Sequence, residues 1–539
     1  MKSTMQDVPL TITALLRHGA DVFPDSEVIT FEGEHARHTR FAAVAERVQR
    51  LAGALRSLGV EPGDRVGTLC WNHQEHIEAY FAIPCMGAVL HTLNLRLPPH
   101  QLAQIINHAQ DRVIIVDDSL APLLAAIIGH CPSVEKVIVV GTGSVDGLGD
   151  ALAYESLLAA APATFEWPDI DERSAASMCY TTGTTGDPKG VAYSHRSVYL
   201  HSFAVWATFR IDDTERLLSI VPMFHVNAWG LPYAGWMLGS DLLLPGRFLH
   251  PDGLCTFIAQ ERPTFTGGVP TILTGLLHHV QANGGDVSSI KRAVCGGSAV
   301  PATLITAYKD VLGIELIQAW GMTETSPIAT IALPPKGTAP EDEMHFRAKA
   351  GRVVPGVELR IVDDTGAEVP RDGVSVGEIE VRGPWITGSY HNADTPEKFD
   401  NGWLRTGDVG NLDARGFIQI TDRSKDVIKS GGEWISSVEL ETLLVGHPAV
   451  AEAAVVGVAD ERWAERPLAT VVLKPGASAT AEELREFLAP KVARWWLPER
   501  WAFVDEIPKT SVGKLDKKMI RADYAQGKYQ VLEVQPASR

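Results

Sequence analysis

The ten residues 181–190 read TTGTTGDPKG. Three glycines and four threonines in so short a stretch make a loop dense in backbone N–H groups and hydroxyls. A polyphosphate needs such donors close by, with no Cβ in the way. Lys189 adds a cation. The spacing is not that of a Walker A loop, because Pro188 stands between Gly186 and Lys189. Residues 318–325, QAWGMTET, combine an aromatic ring, a tight glycine turn and a carboxylate. Trp320 suits stacking on a purine, and Glu324 offers oxygen ligation to Mg²⁺. In GWLRTGDVG, residues 402–410, Asp408 lies between glycines, where a carboxylate can accept the paired hydroxyls of a ribose. Residues 508–518, PKTSVGKLDKK, read as a loop carrying Lys514 inside a locally basic stretch of an acidic chain. A dinucleotide fingerprint near Gly141 and Gly143 is weak, since Asp146 stands where the third glycine belongs.

These loops need elements to hold them. Short apolar runs at 112–116, 137–140, 178–180, 217–221, 264–266, 292–295 and 315–318 read as strands, with helical patterns between them. Pro270 and Pro301 stand where helices begin, a position proline tolerates. Alternation of this kind predicts an α/β fold with parallel sheets covered on both faces and ligands at the carboxyl ends of strands. From about Gly351 the texture becomes β-rich, with strands expected at 357–361, 377–381 and 416–420. The Pro-rich, charged segment 332–349 reads as a loop. After Asp422 a new unit begins, with helices expected at 438–444 and 481–492 and strands at 453–458 and 469–473. The boundary falls at 421–425, which leaves a domain of about 115 residues.

A chain of 539 residues is long enough for three or four domain-sized units and for a large core. Its hydrophobic content of 45% and charged content of 21% are those of an ordinary soluble protein. A net charge of −18 argues against a general nucleic-acid binder. The six cysteines form no CxxC and mostly sit in apolar runs, so buried, reduced thiols are expected. No HExxH or paired Cys/His metal spacing appears. The polar start is no signal peptide, and the longest apolar stretches fall short of the ~18 residues of a membrane span. A cytoplasmic protein is the expectation.

TTGTTGDPKG and the motifs that follow it in order resemble those of the adenylate-forming superfamily, which includes acyl-CoA synthetases, luciferases and the adenylation domains of peptide synthetases. The resemblance covers nearly the whole chain. It implies an N-terminal adenylate-forming domain over 1–421, made of Rossmann-like parallel-sheet subdomains and a β-rich one. A hinge at 422–425 follows, then a small, mobile α+β cap over 426–539. It implies ATP, Mg²⁺ and coenzyme A as reactants and cofactor. Thr181, Thr182, Gly183, Thr184, Thr185, Gly186 and Lys189 would form the ATP loop. Gln318, Ala319, Trp320 and Gly321 would hold the adenine, Trp320 by stacking. Thr323 would contact the α-phosphate, Thr181 and Glu324 would hold Mg²⁺, and Asp408 with Arg423 would bind the ribose. Lys425 matches the family's hinge residue. Gly431, Gly432 and Trp434 fall in the stretch that shapes the thiol route, where Ser436 or Ser437 can cap the next helix. Lys514 matches the catalytic lysine. Dimers joined through the N-terminal domain are common in the family, so a homodimer is left open, as is peripheral membrane contact.

The segment VPMFHVNAWG, residues 221–230, speaks to the acid. Amino-acid-activating relatives carry an aspartate near here, and this chain has no carboxylate until Asp241. FHVNAW resembles fatty acyl-CoA synthetases, in which the tryptophan matching Trp229 gates the acyl tunnel and His225 lies near the reacting carboxylate. GGVPT at 267–271 and CGGSAVP at 295–301 would line the pocket, with Val269, Gly296, Gly297, Ser298 and Ala299 toward the chain. The expected activity is an AMP-forming acid–thiol ligase for a medium- or long-chain fatty acid. The alternatives are a ligase for a short thioether acid such as 3-methylmercaptopropionate, a carrier-protein acceptor, a luciferase-type monooxygenase, or a non-catalytic nucleotide-binding regulator.

Overall fold

The apolar runs and their helices assemble into two large sheets and a separate C-terminal one. The computed structural model describes residues 1, 3–181, 188–430, 433–510 and 515–534, apart from the side chains of Lys429, Glu433 and Trp434. In the seven-stranded sheet, Arg65–Leu69 lies between Asp111–Asp117 and Val89–Thr92, all parallel. Ala175–Tyr180 continues the parallel order, with Leu90 opposite Ser177. The chain then returns antiparallel through Gly190–Ser194, so residues 181–189 connect a β-hairpin.

Among the described residues the larger sheet has fourteen strands. Asp241–Leu244, Arg216–Ser219, Phe265–Gly268, Arg292–Cys295 and Glu315–Gly321 run parallel. Pro270 opens the helix Pro270–Asn283, and Pro301 caps Ala302–Leu312, as their spacing predicts. Apolar clusters cover both faces, one under Gln74–Cys85 and His195–Phe209, the other under Pro251–Glu261 and Pro270–Asn283. Such two-sided burial is why these strands read as short continuous apolar runs.

The β-rich part continues the same sheet. Glu315–Gly321 pairs in parallel with Arg292–Cys295 through Gln318, then antiparallel with Ile328–Ile331 from Ala319 onward. The antiparallel strands Gly351–Val353, Phe417–Arg423, Trp403–Leu412, Gly377–Arg382 and Glu358–Val362 extend the same sheet. One expectation is corrected: the segment 332–349 is not wholly loop. It contains the short helix Glu343–Arg347, held where Arg347 donates to Glu343 (3.0 Å) and Glu315 (2.9 Å).

After Arg423 the chain enters a smaller α+β unit. Ile428–Ser430, Ala464–Leu473 and Arg500–Phe503 form its sheet, with Val450–Asp460 paired along Ala464–Leu473. It has its own core, built around Leu440, Val455, Leu484 and Trp501. The helix expected at 481–492 stops at Leu488. All six cysteines are buried and unpaired. Among the described residues no helix is long and apolar enough to cross a membrane.

A buried ionic knot fixes the crossing point of the seven-stranded sheet. The His73 ring lies between Asp117 (2.7 Å) and Glu75 (3.0 Å). Burial opposes its charge, but the carboxylates outweigh burial and hold the imidazole well above its ordinary value. Below pH ~6.5 both folded and unfolded chains carry this proton, and the ion pairs contribute fully. As pH rises toward the folded value only the unfolded chain is neutral, and that contribution is lost. We expect His73→Asn, whose side-chain oxygen can accept at the helix N-cap, to lower stability by about 3 kcal/mol at pH 6. The gap should shrink at pH 9. Urea midpoints at both values check this, and a gap that widens with pH would refute it.

Candidate active site

Two groups of polar side chains meet where the parallel and antiparallel halves of the large sheet join. The first is built on Asp408. It lies on the long strand Trp403–Leu412, directly opposite Arg423. Arg423 Nε is 2.8 Å from Asp408 Oδ1, and the indole N–H of Trp320 donates to Oδ2 at 2.9 Å. Asp408 is 3% exposed, whereas Trp320 is half-buried, with indole surface left for a ligand. Gln318, just before the bend, is buried, and its Oε1 has no partner among the described residues. Gly321 is dictated by space: a Cβ there would stand 1.7 Å from the Pro327 carbonyl oxygen.

The second group is built on Glu324. It sits in the turn Thr323–Thr325, pinned by Tyr193 O–H donating to Thr323 O (2.8 Å) and Thr387 N–H donating to Glu324 O (2.8 Å). Glu324 is buried, and Tyr390 O–H donates to its Oε1 at 2.7 Å. Burial and then the Glu324 charge push the Tyr390 phenol up, so it stays a donor. Lys189 Nζ stands 5.0 Å from the Tyr390 ring centre, a cation–π contact. The base of the phosphate loop closes where Thr181 N–H donates to Lys189 O (2.9 Å) and Lys189 N–H to Thr181 Oγ1 (3.3 Å). His391 N–H donates to Gly190 O (2.8 Å) and ties the 390–391 loop to it. Tyr390, Tyr193 and Thr387 had no sequence signal; they stand in segments without periodicity or a recognisable motif, or read only as core.

The third group is apolar. The rings of Trp229 lie 3.5 Å from where side chains would begin at Gly267 and Gly296. Val269 Cγ1 is 3.2 Å from the same point on Gly297. Trp229 and His225 are half-buried, while Ser298 and Ala299 are exposed. In the C-terminal unit, Ser436 caps the helix Ser437–Val445 by accepting Glu439 N–H at 3.0 Å. Lys425 is exposed, and its neighbour Asp426 pairs with Arg521 at 2.9 Å. Thr182, Gly183, Thr184, Thr185, Gly186, Gly431, Gly432 and Lys514 lie outside the described residues, as does the side chain of Trp434.

An indole and a guanidinium thus converge on one buried carboxylate, and a second buried carboxylate is linked through Tyr390 to Lys189. The chain belongs to the AMP-binding enzyme family: the family model matches residues 16–391, and that of the AMP-binding enzyme C-terminal domain matches 439–514. It is 43% identical to the 3-methylmercaptopropionyl-CoA ligase of Ruegeria lacuscaerulensis, over 97% of this chain and 99% of that one. It is 44% identical to the long-chain-fatty-acid–CoA ligase of Thermus thermophilus, over 97% of each. Among solved structures, the anthranilate CoA ligase AuaEII in complex with anthranoyl-AMP superposes with a TM-score of 0.88 at 28% identity. That match covers 98% of this chain and all of the other.

Proposed function

We propose that this protein is an AMP-forming acyl-CoA synthetase for a medium- or long-chain fatty acid. The convergence of Trp320 and Arg423 on Asp408 carries the nucleotide part of this reading. A carboxylate paired on one side with Arg423 keeps lone pairs for two ribose hydroxyls. The exposed indole face stacks on adenine. Lys189 and the N–H groups of the phosphate loop then receive the β- and γ-phosphates.

The acid's carboxylate oxygen attacks the α-phosphorus of ATP. The bond to the bridging oxygen breaks, and pyrophosphate leaves with the electron pair. The acyl-adenylate is a mixed anhydride, and AMP is the leaving group when the coenzyme A thiolate attacks its carbonyl carbon. Negative charge gathers on the phosphate oxygens in the first step, so fixed cations stabilise its transition state. Lys514 would supply one of them. Glu324 fits a magnesium site: it is a hard oxygen donor, buried, with Oε1 held by Tyr390. Thr181 and Glu324 would hold Mg²⁺, which when bound neutralises phosphate charge. His225 would lie near the acid's carboxylate. Arg423 ends the N-terminal sheet, and rotation of the cap about Lys425 would exchange Lys514 for the glycine-rich thiol route at 431–434. The reaction belongs in the cytoplasm, and a homodimer through the N-terminal domain is the assembly that family habit suggests.

The seat of Trp229 against Gly267 and Gly296 favours a second acid, a short one, because an indole there would take up room beside these glycines. One relative is named for such a thioether acid. A panel of carboxylic acids from two to eighteen carbons, with 3-methylmercaptopropionate, assayed for coenzyme A-dependent AMP release, decides between them. We expect release with a clear optimum. Absence of acid-dependent pyrophosphate exchange with every acid would leave only a nucleotide-binding protein.

A further inference from the structure

Residues 226–230 trace a left-handed turn. Five consecutive residues have positive φ: Val226 (48°), Asn227 (50°), Ala228 (50°), Trp229 (58°) and Gly230 (74°). Four of them carry a Cβ, and that region is unfavourable for any L-residue, most of all a β-branched one. A run of this kind persists only where its surroundings over-determine it, and such strain collects at clamps and switches.

Asn227 supplies the constraint. It is 5% exposed, and both ends of its amide are engaged. Nδ2 donates to Ser177 Oγ at 2.8 Å, and Oδ1 accepts from Cys179 Sγ at 3.4 Å. Ser177 and Cys179 are buried neighbours on one face of the strand Ala175–Tyr180, where residues two apart project together. That face is braced in turn, since Thr92 Oγ1 lies 3.2 Å from Cys179 Sγ. At the other end, Gly230 leaves no space for a side chain: a Cβ there would stand 2.6 Å from His201 Nδ1. The strand that anchors the amide is the one that runs into Thr181. The residue the turn presents is Trp229, seated against Gly267 and Gly296. A right-handed turn would point the indole elsewhere.

We propose that Asn227 is a positioning residue for the acyl pocket: its amide, clamped on Ser177 and Cys179, holds the left-handed turn and thereby sets where Trp229 closes the space beside Gly267 and Gly296. The consequence for acid choice rests on the acyl-CoA synthetase reading above. Asn227 touches no substrate; it selects by fixing the wall that does.

The test compares kcat/KM across acids of four to eighteen carbons for wild type, Asn227→Ala, Ser177→Ala and the double variant. A lost clamp flattens the profile. The preference for the best acid over one four carbons away should fall by about 10-fold in Asn227→Ala, with Ser177→Ala moving the same way. The double variant should add little to Asn227→Ala, because that change already removes the bond Ser177→Ala breaks. Ratios between acids within one sample are insensitive to a lower folded fraction. A common fall for all acids with the profile intact would overturn the proposal and leave Asn227 a structural residue. Should Asn227→Ala fail to fold, Ser177→Ala decides alone. A crystal structure of Ser177→Ala gives a readout without activity: an indole displaced from Gly267 and Gly296 supports the clamp, and an unmoved one overturns it. A wild type that turns over no acid would refute the synthetase reading, and that crystal structure would still decide the clamp.

Discussion

In Lys514→Ala, adenylate formation is expected to fall by about 10²–10³-fold, while conversion of a supplied acyl-adenylate to the thioester continues. The two half-reactions need different groups. Adenylation gathers charge on the α-phosphate, and one removed electrostatic stabiliser typically costs ~3–4 kcal/mol. Thiol attack on the finished anhydride has no such need. The chain just after Lys514 is firmly anchored. Three residues later, Lys517 is buried with its Nζ 2.8 Å from Glu441 Oε1. Asp516 caps the helix Lys517–Ala525 by accepting Met519 N–H at 3.0 Å. Ser437 links this anchor to the last N-terminal strand, because Asp422 Oδ2 accepts its N–H at 2.6 Å. The measurement is acid-dependent pyrophosphate exchange beside thioester formation from synthetic acyl-adenylate. An equal fall in both would exclude separate orientations of the C-terminal unit for the two steps.

Glu324→Gln should reduce overall activity by about 10²-fold or more, and part of the loss should return at high Mg²⁺. The amide keeps the shape and an oxygen for the Tyr390 hydrogen bond, now 2.7 Å to Oε1. What it loses is the charge that makes a carboxylate a good ligand for a hard cation. The midpoint of a Mg²⁺ titration should therefore move up by about tenfold or more. Thermal stability should change little, because Tyr390 keeps an acceptor. An unshifted Mg²⁺ midpoint would remove Glu324 from the metal site.

The parallel strands were legible in the sequence, and the Trp320, Asp408 and Arg423 cluster was named from it, for one reason: the patterns are local. A strand buried on both faces is a short apolar run, as at 292–295, where expected and observed limits coincide. The segments 181–190, 318–325 and 402–410 are contiguous strings. Asp408 was legible as chemistry but not as structure. Gly407 and Gly410 break the alternation of Trp403–Leu412, and the ladder to Phe417–Arg423 shifts register between Val409 and Gly410. The union of the two halves of the sheet was hidden because it depends on pairings between distant segments, such as Gly351 with Ile418. Tyr390 meets Glu324 across 66 positions, and no local pattern announces that. The turn at Trp229 runs against the preferences of Val, Ala and Trp; tertiary contacts through Asn227 impose it.

The bend in Glu315–Gly321 has a metrological consequence. The same seven-residue strand borders the acyl side through Gly296 and the ribose side through Trp320. Backbone hydrogen bonds tie it to Arg292–Cys295 on one side and Ile328–Ile331 on the other. A nucleotide and an acid bound as proposed would be held at a fixed separation by this ladder. If the acid seats there, chain length becomes a one-ended measurement, set by where the indole of Trp229 closes the space beside Gly267 and Gly296.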